Sequence, residues 1–154
     1  MPSRTRATRP GRGFTLLELL TACALAAVIA AIALPAYTGF VNKSRSAQAI
    51  SDIAIMILTI ERYHSNAGSY PESLADIGWS TLDPWGIPYE YYNIQVHGKG
   101  HARKDHALNP LNHDFDLYSM GADRKSKPQI TQKDSLDDII RANDGGFLGL
   151  AADF

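Results

Sequence analysis

The apolar positions divide the chain into two regimes. From Phe14 to Val41 the residues read FTLLELLTACALAAVIAAIALPAYTGFV, and Glu18 is the only acid or base there besides a thiol and a phenol. A run of about 20 apolar residues is long enough for a helix to cross a hydrocarbon core. After Asn42-Lys43-Ser44-Arg45 the pattern becomes amphipathic. Ala47, Ile50, Ile53, Ile57 and Ile60 recur at spacings of three and four, which lays them along one helix face. Asp52, Glu61 and Arg62 fall outside that stripe and are free to meet water. The spacing predicts one long helix from Phe14 to about His64, membrane-embedded in its first half. Pro35 interrupts or bends it, because proline lacks the N–H and clashes with the preceding turn.

Breakers follow. Asn66-Ala67-Gly68-Ser69-Tyr70-Pro71 reads as a loop, and Pro71 to Ile77 as a short helix. Asp83-Pro84-Trp85-Gly86-Ile87-Pro88 is a turn entering a strand whose β-formers are Tyr89, Tyr91, Ile94 and Val96. Phe115 to Met120 is a second strand candidate, ended by a turn at Gly121-Ala122-Asp123, with a loop to about Ser135. Asp137 and Asp138 could cap a short helix over Ile139-Ile140-Arg141. The expected class is α+β: a long N-terminal helix packed on a small antiparallel sheet.

Charge adds orientation. Arg4, Arg6, Arg9 and Arg12 precede the apolar run, so the positive-inside tendency keeps them cytoplasmic and puts the rest of the chain outside. A conventional signal peptide has an apolar core of about 7–15 residues and then a small-residue cleavage site; this run is longer and carries an acid. The net charge is -1, which leaves no positive excess to attract a nucleic acid. Cys23 is the one cysteine, so no internal disulfide can form. His97, His101, His106 and His113 match no common zinc spacing, and no hydrolase elbow or phosphate loop is present. No enzyme is expected; a membrane-anchored hydrolase is the weak alternative.

Glu18 is what a plain anchor leaves unexplained. An acid in hydrocarbon is costly and seeks a partner, unless it reaches the interface or takes up a proton. Here Gly13-Phe14-Thr15-Leu16-Leu17-Glu18, after an arginine, resembles the leader junction of type IV prepilins and type II secretion pseudopilins, and Pro35 matches the family's helix proline. The resemblance implies cleavage after Gly13 and N-methylation of Phe14 by a prepilin peptidase and methyltransferase. It divides the chain into a leader (1–13), a long helix (14–64) and a periplasmic domain (65–154). The new amine on Phe14 keeps its charge, and an incoming subunit could bring it to Glu18 of a neighbour. Glu18 and Pro35 are then assembly residues, and none is catalytic.

Three further segments carry the resemblance into the globular part: Gly68-Ser69-Tyr70-Pro71, Asp83-Pro84-Trp85-Gly86-Ile87-Pro88-Tyr89, and Asp116-Leu117-Tyr118-Ser119-Met120-Gly121-Ala122-Asp123. They are similar to the G-type major pseudopilin of type II secretion, whose loop after the final strand is clipped by calcium. That implies a calcium site formed by the Met120 carbonyl, Asp123, and Asp137 or Asp138, with Asp144 a further carboxylate in reach. Arg124-Lys125-Ser126-Lys127 departs from the pattern, being basic where the family's loop is glycine-rich and acidic. The implied partners are further copies in a homopolymer, minor pseudopilins or pilins, and an inner-membrane assembly platform. The implied location is the bacterial inner membrane, single-pass, and then the filament. A type IV pilus subunit for adhesion, motility or DNA uptake would share the leader, Glu18 and Pro35. Many such pilins close their C-terminal region with a disulfide, which this chain cannot form. Its ending, Asp137 to Phe147, is longer than that of a compact G-type subunit.

Overall fold

A computed structural model describes residues 13–154; the arginines of the expected leader lie outside the described residues. The chain forms two compact units, one ending at Gly39 and the other spanning Phe40–Phe154.

Helix α1, Leu16–Ala67, supplies residues to both. The backbone stays helical across Pro35, so the expected interruption is absent, and the Thr38 hydroxyl donates to the Pro35 carbonyl at 2.9 Å. Every residue from Leu16 to Gly39 is exposed. By length and composition this helix could cross a membrane. It ends three residues beyond the expected boundary of His64, where Gly68 takes φ 75 and returns its N–H to the His64 carbonyl at 2.8 Å. A left-handed residue there is a common helix stop, and glycine adopts it without strain.

In the second unit α1 buries Ala49, Ile53, Met56 and Ile60 completely. The stripe is rotated slightly from the sequence reading, since Ile50 and Ile57 are only half-buried and Ala47 is exposed. These side chains pack on a four-stranded antiparallel sheet in sequential order: β1 (Glu90–Asn93), β2 (Phe115–Ser119), β3 (Ile139–Ala142) and β4 (Phe147–Leu150). Phe115, Leu117 and Ile139 face the helix beside Trp85 and Tyr89. Ile140 and Ala142 gather with Leu111, Ile130 and Ala151 in a second apolar cluster. Each buried large side chain contributes about 1.5–3 kcal/mol over leaving it exposed. The chain is therefore α+β with a pilin-like architecture, a long N-terminal helix on a small antiparallel sheet.

Two departures from the sequence reading have identifiable causes. The first strand stops at Asn93 and Ile94–His97 forms a helical turn, α2, despite its β-formers. Asn93 causes the switch: its side-chain oxygen accepts the Val96 N–H at 3.2 Å, while its amide donates to the Pro71 carbonyl at 3.1 Å. The second departure is β3, a strand where a short helix was the alternative, with β4 following it. All four residues of β3 are buried, so no polar alternation marks it in the sequence. Its Arg141 forms paired bonds to Asp114 at 2.7 and 2.6 Å over the Phe115 ring.

Candidate functional site

Two places carry the residues singled out from the sequence. The first is the start of α1. The Glu18 Oε2 accepts both the backbone N–H and the hydroxyl of Thr15 at 2.9 Å, and the Thr15 hydroxyl accepts the Glu18 N–H at 3.2 Å. This is a capping box, which satisfies donors that the first helical turn leaves unpaired. The Thr-x-x-Glu spacing was its signal in the sequence, and it makes Thr15 a positioning residue for Glu18. Gly13 and Phe14 are exposed just before the helix, and Cys23 is exposed on it. Within one chain, then, Glu18 has a local partner that anchors its carboxylate beside the expected new N-terminus.

The second place is the loop joining β2 to β3. Two of the motifs that resemble the G-type subunit meet here. Asp83 is buried; its Oδ1 accepts the N–H groups of Trp85 (3.0 Å) and Ile87 (2.8 Å), and its Oδ2 accepts the Ser119 hydroxyl at 2.6 Å. The Asp-Pro-Trp-Gly turn is thus tied to the end of β2. Arg124 donates to the Trp85 carbonyl at 2.9 Å, tying the turn to the loop as well. The Gly-Ser-Tyr-Pro segment is held in the same way, with Tyr91 and Asn93 of β1 both donating to the Pro71 carbonyl. Tyr89 reaches α1 through a 2.7 Å bond to Asp52. Burial first, and then Asp52, hold its phenol protonated, well above the usual tyrosine range. Asp83→Ala would strand three donors and should cost about 3 kcal/mol, the scale of lost bonds to a charged group. Chemical denaturation of the purified protein checks this.

Of the expected calcium ligands, Asp123 and Asp137 lie against each other, while Asp138 turns to other partners. Asp137 Oδ2 accepts the Asp123 N–H at 2.9 Å, and Asp123 Oδ1 accepts the Lys125 N–H at 2.8 Å. Asp138 lies on the interior side, fully buried, where Oδ2 meets the Arg103 guanidinium at 2.7 Å and the Ser126 hydroxyl at 2.6 Å. Burial pushes the Asp138 carboxyl up to about 6, against the opposing pull of Arg103 and Ser126. Asp144 is taken up elsewhere, accepting the His113 N–H at 2.6 Å and lying 3.0 Å from its ring. Among the described residues no three carboxylate, histidine or cysteine side chains converge as a metal would require. As arranged, the carboxylates of Asp123, Asp137 and Asp138 each accept from protein donors, and Asp138 faces away from the other two toward Arg103. Arg103 and Ser126 are what the sequence reading missed, since partners 35 and 12 residues from Asp138 leave no local spacing to read.

A long N-terminal helix packed on a small four-stranded antiparallel sheet is a pilin-like architecture. Residues 9–34 match the family described as the prokaryotic N-terminal methylation motif. Over a longer span the chain is homologous, at low identity, to type II secretion system core protein G. The match to that protein of Escherichia coli (strain K12) is 26% identical over 144 residues, covering 79% of this chain and 99% of the relative. Two pilus-type relatives share only a shorter segment. Fimbrial protein EcpC of Eikenella corrodens is 36% identical over 67 residues, 44% of each chain. Type IV major pilin protein PilE1 of Neisseria gonorrhoeae is 33% identical over 67 residues, 44% of this chain and 41% of the relative. The chain thus spans less than half the length of these two relatives. No solved structure matches.

Proposed function

We propose that this chain is a structural subunit of a type II secretion pseudopilus, cleaved after Gly13 and N-methylated on Phe14. The observation that carries the reading is the reach of the similarity. Core protein G aligns across 79% of the chain, whereas the pilus proteins align across 44%. The interlocked Asp83 turn and Ser119 belong to the segments that resemble the G-type subunit, which supports the same branch. In this reading the domains are the leader through Gly13, the helix from Phe14, and the periplasmic globular domain. The subunit sits in the inner membrane by α1, polymerises with its own kind and with minor pseudopilins, and leaves the bilayer through an assembly platform. Its role is mechanical, with no catalytic residue.

A type IV pilus subunit is the second reading, favoured by the fimbrial similarity over the N-terminal segment. Deleting the gene separates the two: lost export of folded periplasmic proteins supports the pseudopilus, and lost surface pili with intact export supports the pilus. Intact mass and N-terminal fragmentation of the membrane-extracted protein should give methylated Phe14 as the first residue. A protein retaining its leader would overturn both readings.

A further inference from the structure

The β2–β3 loop, residues 120–138, is long, carries a basic run at 124–127 and is exposed along much of its length, yet it is fastened at several points. Its fasteners come from the excursion between β1 and β2. Lys104 donates its N–H to the Pro128 carbonyl at 2.8 Å and accepts the Ile130 N–H at 3.0 Å. Just before it, Arg103 passes into the interior. Its backbone N–H bonds the buried Asp116 carboxylate at 2.6 Å, and its guanidinium lies 4.1 Å from the centre of the Tyr118 ring. The two terminal nitrogens then divide their work: one bonds Asp138 at 2.7 Å and the other bonds the Ser126 hydroxyl. Ser126 in turn donates to the same Asp138 oxygen at 2.6 Å. The Arg103 and Asp138 side chains are 5% and 0% exposed, so this is an interior triangle and not a surface ion pair.

The triangle joins three segments: the excursion at Arg103, the loop at Ser126, and the entry to β3 at Asp138. Ser135, also buried, adds a second stitch. Its hydroxyl accepts the Lys127 N–H at 2.8 Å and donates to the Lys127 carbonyl at 3.1 Å. The geometry points to Arg103 as the resident cation of this loop, holding Asp138 and Ser126 in place of calcium and making the domain's folding independent of it. A guanidinium suits the position because it is planar, always charged, and able to bond two acceptors while stacking on an aromatic ring. Calcium would need six to eight oxygens, and it would enter beside Arg103 and the Arg124-Lys125-Ser126-Lys127 run. Asp138 Oδ1 and Arg103 Nε are buried without a hydrogen-bond partner. That spare carboxylate oxygen is the reason to test a metal directly. The inference rests on the fold and is independent of the filament reading.

Thermal unfolding of the detergent-solubilised full chain tests it, with calcium chloride or a chelator. Wild type should melt at the same temperature in both. A clear calcium-dependent rise would overturn the proposal. Removing one member of a buried ion pair leaves an uncompensated charge, so Arg103→Met should lower Tm by more than about 10 °C. Removing both charges avoids that penalty, and Arg103→Met with Asp138→Asn should recover at least half of the loss. A double variant no more stable than Arg103→Met alone, or an Arg103→Met protein that melts like wild type, would show that the pair is not the clamp. If Arg103→Met fails to fold, the double variant and the wild-type calcium comparison still decide the matter.

Discussion

Cells expressing Glu18→Ala as the sole copy should insert and process the protein normally yet show no filaments, either in sheared fractions or by electron microscopy. The expectation combines two properties of one carboxylate. Within its own chain Glu18 closes a capping box with Thr15, which orients the carboxylate at the first turn of α1. Toward another chain it is the only acid in an apolar run whose surroundings make an unpartnered charge costly. Cleavage after Gly13 would create a matching cation on Phe14. A pair formed between chains would neutralise both groups and set the axial stagger, because helices aligned in register would leave each charge unmatched.

Two companion variants separate these roles. Thr15→Ala removes the local donor and acceptor but keeps the acid, so filaments should persist at reduced yield. Glu18→Gln keeps the shape and much of the capping but removes the charge, so assembly should fail as with Glu18→Ala. Loss of filaments in Thr15→Ala together with assembly of Glu18→Gln would assign the residue to helix capping alone.

The parts of this molecule that could be read from sequence are those whose information is local. The apolar run and the three-and-four spacing before His64 each lie within a few turns of helix, where periodicity acts directly. The strand at Phe115 could also be read, since Phe115 and Leu117 alternate with polar neighbours. β3 and β4 could not. The former is buried throughout and the latter is half-buried throughout, so neither shows the period of two that a half-exposed strand carries. Asn93 defeats the propensity of Ile94 and Val96 through bonds to Pro71, more than twenty residues away in sequence. The partners of the loop carboxylates were hidden for the same reason. Asp123, Asp137 and Asp138 are close in sequence to one another, which suggests a shared ligand, but their bonds are divided between Lys125, Asp123 and a distant Arg103. Tertiary partners, and not spacing, decide where buried carboxylates point.

Gly121→Ala should be the most damaging single-methyl change in the globular domain. Gly121 sits at φ 67, and a Cβ there would lie 2.2 Å from the Asp137 carbonyl oxygen and 2.7 Å from its carbon. Two penalties therefore add. An L-residue in the left-handed region costs about 1–2 kcal/mol, and forcing extra volume into a close-packed contact costs about 1–3 kcal/mol more. The obstacle is backbone, which cannot swing aside as a long side chain would. Moving it would pull Asp137 from the Asp123 N–H and disturb Asp138, the residue that Arg103 holds. The sum is a large share of the ~5–15 kcal/mol that keeps a typical domain folded. Gly86→Ala is the matched control: its φ is 84, but a Cβ there meets nothing within 4 Å, so only the backbone term applies. Denaturant titrations should therefore place Gly121→Ala well below Gly86→Ala, with both below wild type. Equal losses would mean that the glycine is required for its backbone angle alone, and that the approach of Asp137 to the Gly-Ala-Asp turn contributes nothing to closing the loop.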